Sequence, residues 1–237
     1  METSYSSSGL RRNAPQLVAK MGVLAVVLLA FSLAGCDQFN LDQAQPTTSI
    51  SLDQTISSQA GFNGLLISMY DRLQNPNLYG QQYMLYPDAL ADNANLVPQS
   101  STNRYPTVVA NAPFSHMGGY GLLYSTINEA NNILEDIGSL DLQAENPQAI
   151  RDRIRGEARF LRALAYFDLV RVYGYIPGSI DGRQREIDDF SLGVPFRTEP
   201  TRSAADAQPK PRVENTQIYD QALADFRAAD SLLAGNP

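Results

Sequence analysis

Apolar positions recur with helical spacing in four places along this chain. The first set is Phe62, Leu65, Leu66, Met69, Tyr70 and Leu73, at i, i+3, i+4, i+7, i+8 and i+11, one stripe of an amphipathic helix. Asp53 is its expected N-cap. Asn75-Pro76 is its expected end, because a residue before proline is pushed out of the helical region. Leu123, Ile127, Ala130, Leu134 and Ile137 predict a second helix from about Tyr120 to Ile137, with Gly138 as the C′ residue. The third is the strongest, from about Pro147 to Tyr173. Ile154, Ala158, Leu161, Ala165 and Val172 make one stripe there, and Phe160, Leu164 and Phe167 make a second beside it. Two stripes predict cover from more than one side, as in stacked helical layers. Gly174 and Pro177 stop that helix. The fourth is capped by Asn215 or Thr216, presents Tyr219, Ala222, Phe226, Ala229 and Leu233, and closes at Gly235.

No stretch alternates with period two for long enough to build a sheet, so the fold class is all-α. Two long irregular segments, residues 76–119 and 174–214, separate the helices. Loops of such length are disordered or functional. The first holds Tyr79, Tyr83, Tyr86, Tyr105 and Phe114 among Asn, Asp and Pro, too aromatic for plain disorder. It is expected to be an ordered surface loop.

The remaining apolar run has another character. Arg11, Arg12 and Lys20 precede Met21 to Leu33, and the small pair Ala34-Gly35 follows. The run has 13 residues, whereas a transmembrane helix needs about 20. A charged n-region, an apolar h-region and a small-residue cleavage site make residues 1–35 a removed signal peptide. Cys36 comes next, the single cysteine of the 237-residue chain, and with one His, His116, it has no evident disulfide or metal partner. Leu33-Ala34-Gly35-Cys36 resembles the lipobox of bacterial lipoproteins, which implies that Cys36 is acylated and tethers the mature protein to a membrane. Residues 36–52, polar and without a sustained period, read as the tether, and the helical domain spans 53–237.

Removal of the leader leaves 15 basic residues (18 less three) against 24 acidic (25 less Glu2). That balance argues against nucleic acid and against an anionic membrane face as partners. Catalytic chemistry finds little support. Asp88 and Asp92 lie four apart beside aromatics, as glycoside hydrolysis needs, but nothing places them across a cleft. The Gly118, Gly119 and Gly121 cluster lacks the strand and lysine of a phosphate loop. No cofactor, metal site or catalytic residue is expected.

"LLYSTINEANNILEDI" followed by "IRGEARFLRALAYFDLVRVYGYIP" resembles the SusD/RagB family of Bacteroidota outer-membrane lipoproteins. The matching features include Ala130-Asn131, Gly156-Glu157-Ala158, Arg162-Ala163, Tyr166-Phe167, Leu169-Val170 and Gly174 before Pro177. "LYPDALADNAN", "LGVPFRTEPT" and "ENTQIYDQALADFRAADSLL" fit in order around them. The resemblance implies a tetratricopeptide-like helical scaffold with long irregular loops. It also implies a surface-exposed outer-membrane lipoprotein that captures oligosaccharides or peptides for a SusC-type TonB-dependent transporter. A family chain is about twice this length, so residues 53–237 are expected to be the N-terminal portion of a larger domain. Within residues 76–119, Tyr83, Tyr86, Asn93, Asn103, Arg104 and Tyr105 are the candidate ligand contacts, because glycans are held by ring faces and by Asn and Arg hydrogen bonds. The tyrosines serve equally well to pin the loop to the helices. From another class, a helical-repeat adaptor that assembles envelope proteins is the alternative.

Overall fold

The computed structural model describes residues 51–94, 108, 110, 117–174 and 191–234. The leader, Cys36 and the tether up to Ile50 lie outside the described residues, as do Asn103, Arg104, Tyr105 and Gly235. Within them the protein is mostly helical.

Two serines, and not Asp53, open the first helices. Ser51 caps the single turn α1, Leu52–Thr55, through a capping box with Gln54. Ser58 caps α2, Gln59–Leu73, its hydroxyl accepting from the Gly61 N–H at 3.1 Å. Asp53 therefore sits in the first turn of α1, where a carboxylate suits the positive end of the helix dipole. The corner between α1 and α2 is tight: a Cβ on Gly61 would lie 1.7 Å from the Thr55 carbonyl oxygen.

A helix, α3, spans Gln82–Leu90 inside the segment expected to be irregular. Its sequence hides it for two reasons. Only Tyr83 is buried, so no apolar stripe is visible, and Pro87 lies inside it, removing one N–H from the ladder. The next two helices form as expected. α4 spans Tyr120–Asp136 and continues as one 3₁₀ turn, Ile137–Ser139. α5 spans Pro147–Tyr173, with Pro147 in its first turn and the Asn146 side chain accepting from the Ala149 N–H at 3.1 Å. α6 spans Asn215–Leu233 without a side-chain cap.

One small sheet escaped the period-two test because its strands are so short. β1, Leu192–Pro195, pairs antiparallel with β2, Arg212–Glu214, aligning Leu192 with Glu214 and Pro195 with Arg212 across an irregular step. The β1–β2 loop, residues 196–211, is long and docks on α4.

α5 is the centre of the molecule, lying against both α4 and α6. Its N-terminal half packs Ile154, Ala158 and Leu161 with Phe62, Met69 and Ile133 in one apolar cluster. Its C-terminal half packs Ala165, Tyr166 and Leu169 with Leu123, Val194 and Ile218 in another. The main stripe is thus buried from end to end, apart from the half-buried Val172. The second stripe is not covered as expected: Phe160 and Phe167 remain 40% and 39% exposed. They meet α6 edge to face, Phe160 with Phe226 and Phe167 with Tyr219, at centroid separations of 5.7 and 6.3 Å.

On α6 the buried line is Ile218, Ala222, Asp225 and Ala229, one position round from the line expected through Tyr219 and Phe226. The cause is Asp225, a charged residue in an otherwise apolar row. Its carboxylate is fully buried and accepts from Arg162 Nε at 2.7 Å, Arg162 Nη2 at 2.9 Å and Arg159 Nη1 at 2.7 Å. The two arginines of α5 thus find the carboxylate of a neighbouring helix, an arrangement that periodicity alone does not reveal.

Candidate functional site

Of the six candidate ligand contacts, three lie in the described residues, and they face different ways. Tyr83 is buried at 5% exposure and belongs to the core. Its ring lies 5.7 Å from that of Tyr79, and the Arg171 guanidinium sits 5.8 Å from its centroid. Tyr86 is half-buried on α3, and Asn93 is exposed in the turn that follows. That turn is made by Asp92, at φ 59°, with the Asp88 carbonyl accepting from the N–H groups of Asn93 and Ala94. Asp88 and Asp92 are both exposed.

The segment bearing these residues is fastened to α5 by a buried carboxylate. Asp168 accepts from the Tyr79 hydroxyl at 2.7 Å and from Arg171 Nε at 2.8 Å. Burial raises its pKa above the ordinary carboxylate value, and the two hydrogen bonds only partly oppose that. Tyr79 and Tyr83 therefore act as fasteners of the segment.

A second place is more concave. Between α4 and the β1–β2 loop lies a groove of about 550 Å³, lined by residues of α2, α4 and the loop. Its geometry follows from three asparagines in the middle of α4, residues that a helix interior disfavours unless their side chains are occupied. Asn128 makes two bonds to one loop residue, accepting from the Thr201 N–H at 2.6 Å and donating to its carbonyl at 3.3 Å. Asn131, nearly fully buried, donates to the carbonyls of Arg197 and Glu199 and accepts from Arg162. Asn132 accepts from Arg202 Nε at 2.8 Å, while Arg202 also pairs with Asp136. Tyr166 of α5 completes the clamp: its hydroxyl donates to the Arg197 carbonyl at 2.5 Å and accepts the Arg197 N–H at 2.8 Å. Burial pushes that phenol up to about 12. The loop is thereby held as a rigid wall.

The opposite wall is also fixed. Arg72 of α2 donates to both oxygens of Glu129 on α4, at 2.6 and 3.0 Å, and the Ser68 hydroxyl donates to the same carboxylate at 2.6 Å. Ile127, 1% exposed, forms the floor. The Tyr124 ring stands beside it, its hydroxyl donating to the Pro195 carbonyl at 2.6 Å. Arg197, Glu199, Thr201 and Ala207 close the loop side. Sequence reasoning placed Ile127 on the apolar stripe of α4 and Asn131 in the family pattern, and gave none of the lining residues a part in a site. The signal available for them was the run of asparagines within an otherwise amphipathic helix.

Among the described residues no group of His, Cys, Asp and Glu is arranged to hold a metal ion. No helix among them is long and apolar enough to cross a membrane.

This helical scaffold has counterparts among known proteins. Residues 40–237 match the sequence model of the SusD-like proteins, described as starch-binding and associating with the outer membrane. The chain belongs to that family. A SusD-like protein of Formosa agariphila is 26% identical over 165 residues, covering 65% of this chain and 30% of the relative. A crystal structure of a SusD-like carbohydrate binding protein from Bacteroides vulgatus superposes with a TM-score of 0.55 at 23% identity, over 74% of this chain and 36% of that one. A candidate sugar binding protein from the same organism gives 0.58 at 23% identity, over 77% and 39%. The chain therefore spans well under half the length of each of these relatives, and the two structures bear on its fold.

Proposed function

We propose that this protein is a cell-surface nutrient-binding lipoprotein. Anchored through acylated Cys36, it captures oligosaccharides or peptides and passes them to a SusC-type TonB-dependent transporter in the outer membrane. The observation that carries the reading is the family match over residues 40–237, which begins just after Cys36. The starch-binding description of the family and the names of the two Bacteroides vulgatus proteins support a carbohydrate as ligand. Two or more acyl chains anchor stably where one binds only marginally, so the lipobox supports a lasting attachment. The role is binding, without chemistry on the ligand.

The test is made in cells of a Bacteroidota host. Wild-type protein should enter the outer-membrane fraction, carry an acyl mass on Cys36 and co-purify with a TonB-dependent receptor from detergent extracts. Cys36→Ser should remain unacylated and leave that fraction. Equal masses and equal solubility for the two proteins would refute the anchor. An acylated protein that brings down other envelope proteins but no receptor would favour the adaptor reading, in whose favour stands the partly exposed aromatic row of Phe160 and Phe167.

A further inference from the structure

We propose that the groove between α4 and the β1–β2 loop is a binding site for an uncharged polyhydroxyl ligand, a short stretch of neutral oligosaccharide. The inference rests on the carbohydrate-binding reading above and adds to it a place and a class.

Size and rigidity come first. A cavity of about 550 Å³ falls within the roughly 300–1,000 Å³ usual for small-molecule sites. Both of its walls are fixed before any ligand arrives, one by the Arg72–Glu129 pair and the other by Asn128, Asn131 and Tyr166. A preformed site loses little conformational freedom on binding.

Charge then selects the class. The lining carries two guanidinium groups, Arg72 and Arg197, and two carboxylates, Glu129 and Glu199, so its formal charge is zero. A sugar hydroxyl both donates and accepts, and this lining offers both functions side by side. Arg197 gives two of its N–H groups to the carbonyls of Asp206 and Gln208 and retains others. Glu199 has no ion-pair partner among the described residues, so its carboxylate is available as an acceptor. Ser125 donates its proton to the Gly121 carbonyl and so presents an acceptor as well. A uronate or a sulfated sugar would meet Glu199 as well as Arg197, so a lining whose charges sum to zero gives an anion no advantage over a neutral sugar. The half-buried Tyr124 ring supplies apolar surface for the C–H face of a sugar ring.

The experiment uses the full chain and a panel of hexasaccharides: neutral malto-, manno-, xylo- and cello-oligosaccharides, with oligogalacturonate and a sulfated oligosaccharide as anionic probes. Ala207→Trp fills the groove without removing a polar group. Glu199→Gln removes the unpaired charge. Melting curves verify that both variants fold. Wild type should bind at least one neutral probe more tightly than either anionic one. Ala207→Trp should weaken that binding by about tenfold or more, as expected when the centre of a contact is blocked. Glu199→Gln should narrow the preference for neutral over anionic probes. A folded Ala207→Trp variant with undiminished affinity would overturn the groove and leave the carbohydrate reading standing. Tightest binding to oligogalacturonate or to the sulfated probe would overturn the class. No binding to any sugar of the panel would overturn both the groove proposal and the carbohydrate reading on which it rests.

Discussion

Asp225, at the contact of α6 with α5, and Leu161, in the cluster of α5 with α2 and α4, should fail for different reasons. Asp225→Ala leaves Arg162, whose side chain is 7% exposed, buried without its carboxylate. Removing one partner of such a pair costs about 3–5 kcal/mol. Leu161→Ala opens a cavity in a fully buried site and should cost about 2–5 kcal/mol, whereas Phe160→Ala, at a position 40% exposed, should cost clearly less. Denaturant melts of the three variants check this, and equal losses at Leu161 and Phe160 would refute the assignment of faces. Asp168 gives a dependence on pH. Its folded-state pKa is raised, by burial above all, so the folded protein holds this proton more firmly than the unfolded chain. Stability therefore falls as pH rises from the unfolded value, about 3.9, through the folded one. The stability of wild type relative to Asp168→Asn should decline between acid and neutral pH. A difference that grows with pH would reverse the sign of this contribution. The pairing of Arg159 and Arg162 with Asp225 was not legible in the hydrophobic pattern. A single Asp in an apolar row carries no periodic signal.

Among the elements, α4 and α5 were legible almost to the residue, because both have long stripes and clear stops. α3 and the two strands were not. α3 buries one side chain and contains a proline, and strands of three or four residues give no period to count. The β1–β2 loop was legible only as a length. What gives it shape lies on another element, in Asn128, Asn131 and Asn132, and such a dependence cannot be read locally. Of the candidate ligand contacts, Tyr83 sits in the core, and the side on which it lies is set by α5, whose Arg171 guanidinium is 5.8 Å from its ring centroid. Asn131→Ala should free the loop at Arg197 and Glu199 and strand a buried Arg162 donor, at about 1–3 kcal/mol for the unsatisfied group. Limited proteolysis should then cut within residues 196–208 in the variant and spare wild type. Equal cleavage of both would show that Tyr166 and Asn128 suffice to hold it.

For the molecule as a whole, stability should be uneven. α4 and α5 contribute to both apolar clusters, α6 to one and α2 to the other, whereas α3 contributes one buried side chain. Native-state hydrogen exchange should find amides of residues 84–94 opening at lower free energy than those of α5. Uniform protection would mean that the Asp168 fastening makes α3 part of the global unit. The Asp225 pair has a consequence on this scale too. The apolar faces of α5 and α6 are rich in alanine, and smooth faces of that kind allow one helix to slide along the other. A slip of one helical turn, about 5.4 Å, would set an alanine of α6 opposite Arg162 and carry Asp225 away from it. Every displaced alignment strands a buried charge, so one carboxylate acts as the detent that permits a single position of the two helices.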